Sequence, residues 1–228
     1  MTNQIEMKIE HLQPWSTFVL RTKLPDFVLE KMIKITDKII DEGGDSHGQY
    51  LAGQIKSELE VPHKILEEEG LMGFFNEMTR QFVVQQTIQQ KPLEEERILQ
   101  EEYITEMLSM WIISQKDNEY NPFHIHTKCA LSTVMYLKIP EYLPSRKEGK
   151  DDDGAINFIG NASKDRFWGE PKLTIKPEVG DFFIFSASQG HFVYPFRTAD
   201  GKGERRSVSF NARYISGYDE MGKRNESN

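Results

Sequence analysis

The stretch Tyr120 to Pro140 reads YNPFHIHTKCALSTVMYLKIP, with His124-Ile125-His126 set just ahead of a run of strand character. On a β-strand, residues two apart share a face. His124 and His126 are therefore expected to aim two imidazoles into one space while Ile125 points away. Neutral imidazole suits zinc, copper, iron and nickel, but two ligands alone make a poor site. A third candidate, His191, stands in SASQGHFVYPF after the apolar run Asp181 to Phe185.

Around these histidines the chain has the texture of an antiparallel β-protein. Met107 to Gln115, Leu131 to Ile139, Gly154 to Gly160, Lys172 to Pro177, Asp181 to Ser186, His191 to Phe196 and Arg206 to Ile215 are short β-prone runs. Turn signals such as Lys116-Asp117-Asn118, Glu178-Val179-Gly180 and Asp200-Gly201 separate them, the pattern of a sandwich or barrel. In the last run, alternation puts Arg205, Ser207, Ser209 and Asn211 on one face. Arg206, Val208 and Phe210 lie on the other. An arginine and a hydroxyl in phase beside the histidines make an anion pocket, with Arg205 gripping a carboxylate and Ser207 adding a hydrogen bond.

The first hundred residues read differently. Alternation at Met7 to Leu12 and at Phe18 to Leu20 predicts an opening strand, followed by an extended Leu24-Pro25 step. Asp26 is expected to cap a helix running to about Asp41, closed by Gly43-Gly44. Apolar residues at threes and fours predict one helix from about His63 to Gln90, broken at Lys91-Pro92. Leu93 to about Glu106 predicts another. The triplets Glu67 to Glu69 and Glu94 to Glu96 read as solvated faces, and Asp151 to Asp153 as a hairpin tip. His47 and His63 read as surface residues, Cys129 as a small buried residue and Trp111 as core beneath the site. Phe123, Phe183, Phe185 and Val193 are candidates to wall it.

Composition limits the function. The 228 residues are 38% hydrophobic and 28% charged, with a net charge of −8 and a pI near 5.4. Wrapping duplex nucleic acid needs clustered Lys and Arg, so that class is excluded, whereas a small acidic ligand held by one arginine is not. One cysteine permits no internal disulfide and suits a reducing cytoplasm. No secretory h-region opens the chain and no apolar run reaches membrane-spanning length.

Taken together, His124-Ile125-His126, Leu131-Ser132 to Tyr136-Leu137, Gly180-Asp181 to Phe185, His191 to Pro195 and Glu204 to Asn211 resemble the 2-oxoglutarate- and Fe(II)-dependent oxygenases of phages and marine bacteria. The resemblance spans roughly Trp111 to Asn211. It implies an α+β protein with a double-stranded β-helix (jelly-roll) core and an N-terminal helical layer on one sheet. The expected division is 1–106 for the supporting strand and helices, 107–216 for the catalytic core and 217–228 for a polar tail. It also implies Fe(II) and 2-oxoglutarate as cofactors, oxidation of a carbon centre, and release of succinate and carbon dioxide. Carried over by residue, His124 and His191 match the iron-binding histidines. Arg205 with Ser207 resembles the Arg-x-Ser that holds the distal carboxylate of 2-oxoglutarate, and Tyr136 matches a tyrosine that reaches the cosubstrate.

The chain departs from the wider pattern at His126, where a carboxylate is usual. The site is then either a neutral three-histidine centre or two histidines and water. Arg206, adjacent to Arg205, is the other candidate anchor if a bulge reverses strand parity. Thr133 replaces a glycine near Ser132. The implied substrate is a peptide, amino acid or small metabolite, met in the cytoplasm of a cell or of a phage-infected host, with no membrane partner. The helical half either caps the core or makes a homodimer. Two other classes compete: a cupin-like metal enzyme that does not use 2-oxoglutarate, and a non-catalytic jelly-roll binding module.

Overall fold

A computed structural model describes residues 18–146, 148–160 and 171–216. Two antiparallel sheets face each other. The larger contains β1 (Val19–Lys23), β2 (Glu58–Glu60), β3 (Tyr103–Gln115), β5 (Leu131–Lys138), β8 (Asp181–Ser186) and β10 (Arg205–Ser216), in the order β1-β8-β5-β10-β3-β2. The smaller contains β4 (Asn121–His124), β6 (Ile156–Ile159), β7 (Lys172–Ile175) and β9 (His191–Val193), in the order β4-β9-β6-β7. From β3 to β10 the chain passes repeatedly between the sheets, only β6 and β7 following one another in the same sheet, and most strands pair with neighbours remote in sequence, which is the double-stranded β-helix arrangement.

Four helices, α1 (Asp26–Glu42), α2 (His63–Glu68), α3 (Met72–Gln90) and α4 (Glu95–Gln100), lie on the outer face of the larger sheet. Helix α1 buries Val28, Met32, Ile35, Thr36 and Ile39, a stripe at helical spacing. Its apolar members join Phe75, Phe82 and Val83 of α3 and Met135, Leu137, Phe182, Ile184, Val208 and Phe210 of the sheet in one core. A second, smaller core between the sheets is built from Val134, Tyr136, Ile156, Phe158, Phe183, Phe185 and Val193. No helix among the described residues is long and apolar enough to cross a membrane.

Several boundaries differ from the expectations. The helix expected over His63 to Gln90 is two helices, because Gly70 takes a left-handed backbone at φ 70° and ends the first. The helix expected over Leu93 to Glu106 shrinks to α4, since Tyr103 already begins β3 and pairs with Ser216. Pro25, not Asp26, occupies the cap of α1, and Asp26 lies in its first turn. The strand expected at Met7 to Leu12 and the tail 217–228 lie outside the described residues. Two elements of the N-terminal half belong to the larger sheet itself: β1 pairs with β8 and β2 pairs with β3.

Candidate active site

Strand β4 ends at His124, so His126 lies beyond the strand and the parity argument does not place it. Its backbone N–H instead donates to the carbonyl of Ala187 at 2.9 Å, which turns the chain toward the β8–β9 connection. His124 and His191 are direct partners across the β4–β9 ladder. The three imidazoles meet all the same: one ring nitrogen from each of His124, His126 and His191 lies within 4.8 Å of the others.

The local backbone sets the ring orientation. Nδ1 of His124 lies 2.8 Å from the Pro122 carbonyl and Nδ1 of His191 lies 2.9 Å from the Gln189 carbonyl. A carbonyl only accepts, so each Nδ1 carries the proton, and each Nε2 is left with a lone pair. Burial lowers the pKa of all three rings. It takes His126 to about 4 with further repulsion from His124, and His191 to about 3 with the same neighbour opposing its charge. They are neutral near pH 7, the state that coordinates a cation. Three converging neutral imidazoles fit a divalent transition metal such as ferrous iron. Phe185 closes on His191 at 4.7 Å between ring centres, and Phe158 stands at 6.1 Å. Phe185 and Val193 do wall the site, while Phe183 lies in the inter-sheet core. Phe123 is 63% exposed and stands outside the wall.

The histidines open onto a cavity of about 480 Å³ whose floor is the inner face of the larger sheet. Arg205, Ser207, Ser209 and Asn211 of β10 line it, as the alternation requires. Arg206 points to the opposite face, against Glu204 at 2.8 Å and Asp37 of α1 at 2.6 Å. A register shift does occur between Arg206 and Ser207 on the β5 side, but it leaves Arg205 facing the cavity.

Arg205 is 1% exposed, and its acceptors among the described residues are neutral: the Gly154 carbonyl at 2.7 Å and Oε1 of Gln115. Gly154 is required there, because it holds φ 72° and a Cβ would come within 2.5 Å of the Tyr142 ring. Nε of Arg205, the hydroxyl of Tyr136 and Oδ1 of Asn211 are buried without any partner. The guanidinium lies 5.6 Å from the centre of the Tyr136 ring. Burial pushes the Tyr136 hydroxyl up to about 12, with Arg205 pulling the other way, so it remains a donor. Ser207 sits between Tyr136 and Ile113 on the flanking strands. A buried guanidinium with no carboxylate beside it among the described residues, next to an idle phenol, has the bonding capacity to accept a carboxylate.

Among the lining residues that were not anticipated, two stand out. His47, expected at the surface, stacks on Trp111 at 5.4 Å and 13° and forms part of the cavity wall. Glu58, on the three-residue strand β2, also lines the cavity. Neither has a local pattern that would single it out, because both reach the site through the pairing of β2 with the distant β3.

Residues 109–211 match a family described as "Putative 2OG-Fe(II) oxygenase". No curated protein matches the chain in sequence. Among solved structures it is similar to a Pseudomonas putida prolyl-4-hydroxylase, at 10% identity and TM-score 0.48, covering 86% of this chain and 92% of that one. It is also similar to a viral collagen prolyl hydroxylase of Paramecium Bursaria Chlorella virus-1, at 15% identity and TM-score 0.48, covering 86% and 96%. A third is the non-heme alpha ketoglutarate dependent epimerase SnoN of nogalamycin biosynthesis, at 12% identity and TM-score 0.49, covering 86% and 76%. The family match takes in all three histidines and the whole Arg205–Asn211 face, and over that segment, a little under half of the chain, the protein is similar to oxygenases whose cofactors are ferrous iron and 2-oxoglutarate.

Proposed function

We propose that the enzyme hydroxylates an organic substrate, a peptide, amino acid or small metabolite. One oxygen atom of O2 enters a C–H bond of that substrate and the other enters succinate, formed from 2-oxoglutarate with loss of carbon dioxide. The carrying observation is the pairing, in one cavity, of three converging imidazoles with a buried guanidinium that lacks a carboxylate. In this reading His124, His126 and His191 hold the iron. Arg205 and Ser207 take the distal carboxylate of 2-oxoglutarate, and Tyr136 donates to the cosubstrate from beside them. Bound iron supplies the oxygen-activating redox chemistry.

The chain's own residues orient and shield. The Nδ1 bonds of His124 and His191 hold the rings so that Nε2 faces inward. Arg205, fixed by Gly154 and Gln115, offers its unpaired Nε–H without reorganising. Phe185 and Val193 line the cavity beside the histidines, with Phe158 packed against His191, and keep water from that side of the rings. Because His124, His126 and His191 are neutral, they would leave the charge of a bound metal uncompensated, which favours an anionic cosubstrate more than a set that includes a carboxylate.

The test is succinate formation from 2-oxoglutarate with added Fe(II), which such enzymes sustain at a low rate without substrate. The parent should form succinate and His191→Ala should not. No succinate from either overturns the reading. For the third ligand, His126→Ala should weaken iron binding sharply and His126→Asp should restore part of it. Equal binding by all three proteins removes His126 from the iron.

A further inference from the structure

The sheet row that carries Ser207 extends beyond it. Tyr136 on β5, Ser207 on β10, Ile113 on β3 and Glu58 on β2 are successive cross-strand partners. Such partners share a face, so Glu58 opens onto the same cavity two strand spacings from Ser207, about 10 Å away. Its side of the cavity differs in chemistry from the Arg205 side.

Glu58 is only 4% exposed, and its carboxylate meets no cation and no hydrogen-bond donor among the described residues. The charge that acts on it is a like one, Glu119, whose own oxygens already accept the backbone N–H groups of Lys56 and Lys116. The loop after α1 closes over the carboxyl. It is pinned at one end by the His47 N–H on the Glu58 carbonyl at 2.8 Å, and at the other by the Gln54 N–H on the Tyr120 carbonyl at 2.9 Å. Gly53 packs closely over it: a Cβ there would lie 2.6 Å from Oε1 of Glu58 and 2.7 Å from Oδ1 of Asn121. Beside the carboxyl stand the stacked rings of His47 and Trp111, with Tyr50, 73% exposed, at the rim 5.4 Å from His47.

A buried carboxylate left unpaired is expensive, and a second carboxylate nearby raises the cost. A cation offsets both, and aromatic faces alongside add attraction for it. We propose that Glu58, flanked by His47, Trp111 and Tyr50, is the recognition subsite for the substrate to be oxidised, and that this substrate carries an amine or guanidinium group that pairs with Glu58. The proposal rests on the oxygenase reading of the histidine and Arg205 sites. The cavity then has opposite signs at its two ends, so that a dicarboxylate and a cationic substrate are each steered to their own end and repelled from the other.

The full chain, held anaerobically with Fe(II) and 2-oxoglutarate, is titrated calorimetrically with three probes: Nα-acetyl-L-lysine amide, its uncharged norleucine analogue, and its glutamate analogue. The lysine probe is expected to bind about tenfold more tightly than norleucine, with glutamate weakest. Glu58→Gln should erase the preference while leaving norleucine binding as in the parent, and Glu58→Asp should keep part of it. A thermal melt of each variant confirms folding. Equal binding of lysine and norleucine by the parent, or a preference that survives Glu58→Gln, overturns the proposal. Failure of the oxygenase reading shows separately, as absent succinate in air.

Discussion

Arg205 and Arg206 are neighbours on one strand, both almost fully buried, and they lead opposite lives. Arg206 faces the helices and is saturated: Glu204 takes two of its nitrogens, while Asp37 and Thr36 share a third. Arg205 faces the cavity, bonds only to neutral oxygens and leaves Nε idle. The whole larger sheet divides the same way. Val208, Phe210, Met135 and Leu137 on the helix face are packed apolar side chains. On the cavity face, Tyr136 and Asn211 carry polar atoms with no partner and Ser132 likewise keeps an unsatisfied hydroxyl. One face therefore supplies stability and the other holds unspent bonding capacity, which is what a binding site needs.

The comparison breaks most easily at adjacent positions on opposite faces. Phe210 is fully buried, 5.5 Å from Phe75 and 6.2 Å from Phe182 between ring centres. Phe210→Ala should cost about 3–5 kcal/mol of folding free energy. Its neighbour Ser209 lines the cavity, and Ser209→Ala should change stability by no more than about 1 kcal/mol. Urea denaturation of both variants reads the difference. Equal losses would mean that the cavity face is as much a structural core as the other.

The arginines come next. Arg206→Met strands Glu204 and Asp37, although Asp37 keeps Lys138 and is 44% exposed. The expected loss is about 2 kcal/mol, below the figure for a fully buried pair. Arg205→Met removes a buried cation that has no counter-charge among the described residues, so stability should stay within about 1 kcal/mol of the parent or rise. The 2-oxoglutarate concentration for half-maximal succinate formation should rise about a hundredfold in Arg205→Met, and stay within a few-fold of the parent in Arg206→Met. A reversal of that pattern would exchange the two roles.

Much of this division could be read from residue order. Alternation along Arg205 to Asn211 separates the faces without reference to any other strand, and His191 is marked by its place at a strand start just after Gly190. What could not be read depends on partners far away. His126 has left the strand, and its place is set by a hydrogen bond to Ala187, a residue 61 positions on. Glu58 and His47 enter the cavity because a three-residue strand, too short to show a period, pairs with β3. The start of β3 was hidden by helix-forming Glu residues, whose preference the pairing of Tyr103 to Glu106 with Arg213 to Ser216 overrides.

The last contrast separates the two ends of the cavity by the sign of their pH dependence. Burial depresses His191 to about 3 and His126 to about 4, whereas an unfolded chain protonates them near 6.5. Between those values the unfolded state binds more protons, so stability of the metal-free protein is full above about 6.5 and falls as the pH drops, at up to about 1.4 kcal/mol per unit for each ring. Glu58 runs the other way. Burial, reinforced by Glu119, raises it from 4.5 to about 7, so over that interval the folded state holds the extra proton and stability falls as the pH rises. Melting curves of the metal-free protein across pH 4 to 8 therefore sum two opposed slopes (roughly equal per group). Glu58→Gln removes one of them: the variant should gain on the parent above pH 7 and show the bare histidine slope below it. An unchanged curve would mean that the Glu58 carboxyl is solvated as freely when folded as when unfolded, and the contrast between the two ends of the cavity would lose its negative pole.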